Sequence, residues 1–292
     1  MLYGAIEAGG TKIICAVGNE QGEVFNLIRL DTLTPDVTMP KIIEYFKENQ
    51  VESIGIGTFG PAGVNPDAAN FGYILDTPKL PWAHFNFLGA LKEHFDIPMN
   101  FDTDVNGAAL AEHQWGAAQN VNSCIYITVG TGIGGGAFVN GKLLHGLLHP
   151  EMGHFLIPRH PQDQFEGVCP FHGNCLEGMA SGPSIEKRWG QKAYLLDAAH
   201  PAWEMEAYYL AQGVLTYIMI LSPERIILGG GVMGQKHLLD MVRKNVQELL
   251  KEYIKVPQLE GDIDQYIVSP QLGENAGTYG ALALALQALN KL

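Results

Sequence analysis

The sequence predicts an α/β protein built as two lobes around a cleft. Strand patterns alternate with helix patterns along the chain, which implies sheets with parallel members and covered faces. Two turns rich in Gly and Thr, EAGGTK and GTGIGGG, each lie between two apolar strands, and Gly9 and Gly130 are 121 positions apart. The chain therefore states one pattern twice. Its 292 residues, 47% hydrophobic and 17% charged, suffice for a core in each half. The expected division is a smaller lobe over 1–115 and a larger one over 116–292, with a final helix at about 275–290 packing back toward the first lobe.

Residues 2–8, 12–18 and 23–31 read as three consecutive strands joined by the turns GGT and NEQGE. A helix near 38–49, the strand SIGIGT, the loop GPAGVNP, a helix around 83–95, the strand IPMNF and a helix at 104–116 complete the first half. The second half opens with CIYITVG and continues through GGAFVNGKLL, where Asn140-Gly141 signals a hairpin. Helices at about 202–222 and 235–254 flank the short strand RIILGGG. Lobes joined near residue 115 and again by the last helix are expected to close on a ligand.

Lys and Arg total 18 against 31 Asp and Glu, a formal charge of −13, and no basic cluster offers a seat for nucleic acid. No apolar stretch approaches the roughly 20 residues needed to cross a bilayer. The opening MLYGAIEAGG is patterned as a strand and not as an export signal, so a cytoplasmic protein is expected. Cys15 and Cys124 lie in apolar runs, as small buried residues do. Cys169 and Cys175 are different, being flanked by Pro, Gly, Asn and His in EGVCPFHGNC.

Gly130, Gly132 and Gly135 spell GxGxxG, but the run GGGAFVNGKLL alternates and turns at Asn-Gly, whereas a dinucleotide fingerprint must open a helix. A Walker loop is absent. A strand-turn-strand of Gly and Thr can still bring backbone amides and a hydroxyl to phosphate, so Gly9, Gly10 and Thr11, and later Thr131 and Gly132, are candidates to clamp a polyphosphate between two lobes. Lys12 lies just beyond the first turn and can offset phosphate charge; Gly230 and Gly231 of LGGGVM add a third glycine turn before a helix.

FDTDVN places Asp102 and Asp104 where a strand ends and a helix begins. Either can cap that helix or serve as a base, and composition does not separate them. Cys169, His172 and Cys175 are three zinc-type ligands, with His154 and His160 as competing fourth ligands. Residues 158–176 contain few apolar groups, so a structural Zn²⁺ would supply order that burial cannot.

These motifs, IEAGGTK, FDTDVNGAALAE, TVGTGIGGG, PEMGH, a Cys/His loop ending CLEG, and ILGGGVM, occur in an order that resembles the ROK sugar kinases across nearly the whole chain. EAGGTK and CPFHGNC look most like the fructokinase branch. The resemblance implies an actin- and hexokinase-like ATPase fold, with a ribonuclease-H-like unit in each lobe. It further implies ATP with Mg²⁺ as phosphoryl donor, a hexose acceptor and a homodimer. It selects Asp104 as general base and puts Thr103 beside the sugar, although the family usually has Asn there. The loop around Gly63, together with Glu151, His154 and Glu177, becomes the sugar side. His154 becomes a zinc ligand, and Pro183, Gly230 and Gly231 fall on the adenosine side. Glu7 stands where many relatives carry Asp near the metal-bound phosphates. D-fructose 6-kinase is the first reading. A glucose, mannose or N-acetylhexosamine kinase is the alternative within the class, and a non-catalytic sugar sensor the alternative outside it, disfavoured by the Asp at the base position.

Overall fold

The computed structural model describes residues 1–290. The chain opens as an antiparallel meander of β1 (Tyr3–Ala8), β2 (Lys12–Gly18) and β3 (Val24–Asp31). Burial is nearly continuous along β1 and β2, whose two faces are covered, and broken along the edge strand β3. Helix α1 (Pro35–Glu48) leads to β4 (Ile54–Thr58); α2 (Phe87–Lys92) precedes β5 (Met99–Thr103), and α3 (Asp104–Trp115) begins at once. The helix expected over 83–95 is shorter because Asn86 caps it, accepting from Gly89 N at 2.8 Å. Just before it, Leu80–Trp82 turn tightly to bury Trp82, whose indole donates to Leu33 O. The sheet order is β3-β2-β1-β4-β5, with β4 and β5 parallel to β1.

The second half repeats this arrangement. Strands β6 (Cys124–Val129), β7 (Ile133–Val139) and β8 (Lys142–Leu143) form the meander, and Asn140 and Gly141 turn its hairpin at φ 50° and 79°. Residues 144–175 then run without helix or strand until α4 (Leu176–Ala180) and α5 (Gly182–Trp189). The long α6 (Ala202–Leu221) leads to β9 (Arg225–Gly229), and then come α7 (Lys236–Leu250), α8 (Pro257–Glu260), α9 (Ile263–Tyr266), β10 (Ile267–Val268) and α10 (Ala276–Gln287). The order β8-β7-β6-β9-β10 copies the first sheet strand for strand, with the same parallel and antiparallel senses. Gly135 lies inside β7, so the GxGxxG run is a hairpin and opens no helix.

Two helices join the halves. Helix α10 lies on β1 and β4, α3 lies on β6 and β7, and the two helices pack on each other between the sheets. Glycine permits both approaches: a Cβ at Gly55 would stand 1.9 Å from Ala281 O, and one at Gly280 would stand 2.4 Å from the Gly107 carbonyl carbon. Among the described residues, no helix is long and apolar enough to cross a membrane.

Candidate active site

A cleft of about 550 Å³ has walls that include Glu7, Lys12, Asp104, Thr128, Gly230 and Gly231; the turn residues Gly9, Gly10, Thr11, Thr131 and Gly132 are not part of that lining. Asp104 sits here because β5 passes directly into α3. The cap of α3 falls to Thr103, whose hydroxyl oxygen accepts from Asn106 N, so neither aspartate serves as the helix cap. Asp102 is committed elsewhere: Oδ1 accepts from Thr103 N and Asn106 Nδ2, and Oδ2 lies 2.7 Å from His145 Nε2. Asp104 Oδ1 accepts from Val105 N, and the residue lines the cleft. Burial pushes the Asp104 carboxyl up to about 7; the Val105 amide opposes this and the nearby Glu7 charge adds to it. A carboxylate poised there can accept a proton near neutral pH.

The first turn, Gly9-Gly10-Thr11, is closed by Gly9 N donating to Lys12 O, and Thr11 and Lys12 are exposed. Glu7, at its base, accepts from Thr278 Oγ1 at 2.6 Å. The second turn is closed by Gly130 N donating to Gly132 O, with Thr131 exposed at its tip. Gly230 has φ 92°, and a Cβ there would meet Val129 O at 2.4 Å. This third turn therefore stacks against the base of the second. Gly182 N donates to Gly130 O, so α5 also abuts the second turn, but Pro183 is exposed in the first turn of α5 and does not line the cleft. Ser181 and Ser184 cap that helix.

The Cys/His loop gathers into a cluster. Ligand atoms of His154, Cys169, His172 and Cys175 all lie within 4.8 Å of one another. His154 Nδ1 is 3.8 Å from Cys169 Sγ and 3.6 Å from Cys175 Sγ, and His172 Nδ1 is 3.6 Å from Cys169 Sγ. Tetrahedral zinc with ordinary bond lengths separates sulfur and nitrogen ligands by about 3.6 Å, so the donor set fits that ion. Burial pushes the Cys175 thiol up to about 11, and the Gly178 amide, donating to Cys175 Sγ, opposes this. His160 is outside the cluster: its Nδ1 accepts from Gln162 N and its ring meets Tyr208 edge-on. The loop has a second staple. Tyr209 Oη donates to Asp163, which pairs with Arg188 at 3.2 Å, and that guanidinium lies over the Phe165 ring.

Residues 3–288 match the ROK family. The chain belongs to it. A protein of Bacillus subtilis (strain 168) is 50% identical to this ROK chain over 288 residues, covering 99% of this chain and 96% of its own. The fructokinase of Pediococcus pentosaceus is 45% identical over 289 residues, covering 99% of each. Among solved structures, a ROK family glucokinase from Streptomyces griseus in complex with glucose and AMPPNP superposes with a TM-score of 0.76 at 25% identity. That match covers 98% of this chain and all of the other.

On the ROK chain's other candidate wall, Glu177 Oε2 accepts from Ile133 N at 2.9 Å, and its Oε1 lies 3.7 Å from His154 Nε2. One carboxylate thus touches both the second glycine turn and the imidazole whose other nitrogen faces the thiols. A Cβ at Gly132 would come within 2.6 Å of the same carboxylate. Glu151 is exposed, three residues before His154. Gly63 is buried, and its amide and carbonyl are taken by Tyr73 O and Gly72 N within its own loop. A Cβ at Gly63 would strike Asn70 O at 2.0 Å.

Sequence reasoning missed four contributors. Lys79 brings its Cε within 3.6 Å of the position a Gly10 Cβ would take, Thr278 holds Glu7, and His145 and His149 reach from the second half into the first. Lys79 belongs to no motif, and Thr278 is 271 residues from its partner. The two histidines stand in LHGLLHP, four positions apart, outside any metal or catalytic spacing.

Proposed function

We propose that this protein is an ATP-dependent hexose kinase that phosphorylates D-fructose on its 6-hydroxyl. The observation that carries the reading is Asp104, its carboxyl raised to about 7, lining a cleft together with Glu7, Lys12 and the Gly230–Gly231 turn. Asp104 takes the proton of the acceptor hydroxyl as the phosphoryl group arrives. The amides at Gly9–Thr11 and at Thr131–Gly132 hold the triphosphate from opposite sides, while Lys12 and Lys79 offset its charge. Glu7 would hold Mg²⁺ through water, and that ion would neutralise charge on the β- and γ-phosphates. Gly230 and Gly231 receive the nucleoside end. Glu151, His154 and Glu177 accept hydrogen bonds from or orient sugar hydroxyls, Thr103 adds a contact, and the loop around Gly63 closes the sugar side.

His154, Cys169, His172 and Cys175 hold a structural zinc whose four positions are all filled, so it organises the sugar wall and activates no water. The fructokinase name of the Pediococcus relative supports fructose over other hexoses, and the glucose and AMPPNP in the Streptomyces structure support a sugar and an ATP analogue sharing this fold. A cytoplasmic homodimer accords with free cysteines and with Met219 and Ile220, 45% and 73% exposed at the end of α6; sedimentation reads the assembly.

A panel of hexoses with MgATP, read by ADP release and by phosphorus NMR of the product, tests the assignment. Fructose 6-phosphate as the main product is expected. Release of ADP that no hexose accelerates sinks the kinase reading, and preference for glucose sinks the choice of sugar.

A further inference from the structure

Residues 144–150 leave β8 and cross to the other half of the molecule before returning to Glu151. Leu144 packs against the core of its own half, but beyond it apolar burial of these residues is thin, for Leu147 is 96% exposed and Leu148 is 40% exposed. Two histidines attach them. His145 Nε2 lies 2.7 Å from Asp102 Oδ2, at the end of β5, and 3.3 Å from Asn106 Nδ2 in α3. His149 is buried, and its Nε2 accepts from Ala62 N at 3.2 Å, in the loop after β4. Gly60 is close enough that a Cβ there would touch the His149 ring at 3.3 Å. Both anchors belong to the first sheet's strand ends, while the strap belongs to the second sheet.

Each pin ends beside a carboxylate of the sugar site. Asp102 receives the Thr103 amide and the Asn106 side chain on its other oxygen, so fixing Asp102 fixes the turn that presents Asp104. The Ala62 amide occupies His149 Nε2, which puts the ring proton on Nδ1, and that atom lies 3.7 Å from Glu151 Oε1. Two attachment points at different strands constrain rotation of one half against the other as well as their separation. A single pin would leave a hinge.

We propose that His145 and His149 are positioning residues that lock the two halves in the register phosphoryl transfer needs, the first acting through Asp102 on Asp104 and the second on Glu151. This rests on the kinase reading above. Neither ring touches the reacting atoms; each sets where a carboxylate stands relative to the acceptor hydroxyl and the triphosphate.

The test uses the full-length protein and four variants, His145→Ala, His145→Gln, His149→Ala and His149→Gln. A misplacement of about 1 Å costs on the order of 10²-fold in rate, so each alanine variant should lose roughly that much kcat/KM for fructose, with kcat falling as well as KM rising. Glutamine offers an amide donor to Asp102 or a carbonyl acceptor to Ala62 N, and should restore most of the loss. The metal content should stay as in the wild type. Unchanged kcat/KM in both alanine variants overturns the proposal, as does equal loss in the glutamine and alanine variants. A wild-type protein that phosphorylates no hexose defeats the kinase reading and not the lock. The lock is then read by small-angle scattering, where the H145A/H149A double variant must show a larger radius of gyration than the wild type; an equal radius overturns it.

Discussion

The two sheets share strand order and sense but part company after the third strand. The first meander ends in an eight-residue strand, and α1 begins four positions later; the second ends in a two-residue strand that passes into the irregular run from 144 to 175. The first half closes over its own apolar core, in which Ile42, Trp82, Phe87 and Phe101 are buried. The second devotes its extra length to the strap, the metal cluster and Glu151, His154 and Glu177. One copy of the repeat supplies frame, and the other has grown the wall proposed to face the sugar. The glycine turns differ in the same sense: the first is bracketed along the chain by Glu7 and Lys12, while the second is flanked by Thr128 and Thr131 and receives its carboxylate, Glu177, from 44 residues beyond Ile133.

The largest effect should come from the acid at the junction of the two copies. Asp104→Asn removes the base and should lower kcat by about 10²–10⁴-fold with fructose and MgATP. The same change should stabilise the fold at pH 8. Because the folded carboxyl titrates near 7 and the unfolded one near 3.8, the folded state binds the proton more tightly. Wild-type stability therefore falls as pH rises from about 4 to about 7 and is level above, a loss that Asn does not suffer. Urea midpoints of both proteins at pH 4.5 and pH 8 read this; a variant that gains nothing at pH 8 relative to pH 4.5 contradicts the raised carboxyl.

Next in size is the metal cluster, which exists in only one copy. Cys175→Ser, or chelation, should remove the ion and weaken fructose binding about 10–100-fold, with a smaller loss of ADP affinity, because Glu177 reaches the cluster through His154 and also holds the second glycine turn at Ile133 N. Hydrogen exchange should rise over residues 166–177 but stay slow near Asp163, which Tyr209 and Arg188 fix independently. Equal loosening of the whole loop would mean that the second staple contributes nothing.

The interface between copies comes third. Gly280→Ala places a methyl 2.4 Å from the Gly107 carbonyl carbon, and neither helix can yield without moving its sheet. Overpacking of this kind costs about 1–3 kcal/mol, readable as a lower urea midpoint. A neutral result would show that α3 and α10 are free to separate.

Sequence reached the frame of both copies because period and turn chemistry are local. Alternation gave the strands, Asn140-Gly141 gave the second hairpin, and the repetition of a glycine turn gave the two sheets. It also brought forward four metal-type ligands that the fold gathers, since three stand within seven residues. What stayed hidden depends on distance along the chain. Asp102 and Asp104 look alike in FDTDVN, and composition does not show that Thr103 N and Asn106 occupy one oxygen of the first while His145, 43 residues away, meets the other. Thr103 takes the cap that either aspartate could have filled, and Asn86 cuts short a helix that propensity extends. The Arg188–Asp163–Tyr209 staple ties segments that no spacing rule relates.

The smallest prediction sharpens the contrast between the two glycine turns. A lysine meets phosphate as an ion pair, adding Coulomb attraction to its hydrogen bond, whereas a threonine offers a neutral hydroxyl to the same anion. Lys12→Ala should therefore lower kcat/KM for MgATP about tenfold to a hundredfold, whereas Thr131→Ala should lower it only about threefold to tenfold. Lys79, near Gly10, belongs with the charged side, and the Lys12→Ala/Lys79→Ala double variant should lose less than the product of the single losses if both meet one phosphate. Raising the salt concentration should narrow the gap between Lys12→Ala and wild type but leave the Thr131→Ala deficit in place, because screening acts on the charge and not on the hydroxyl. Equal deficits for Lys12→Ala and Thr131→Ala, insensitive to salt, would mean that the acidic and basic bracket around the first turn does not distinguish it, and that the two copies grip the triphosphate alike.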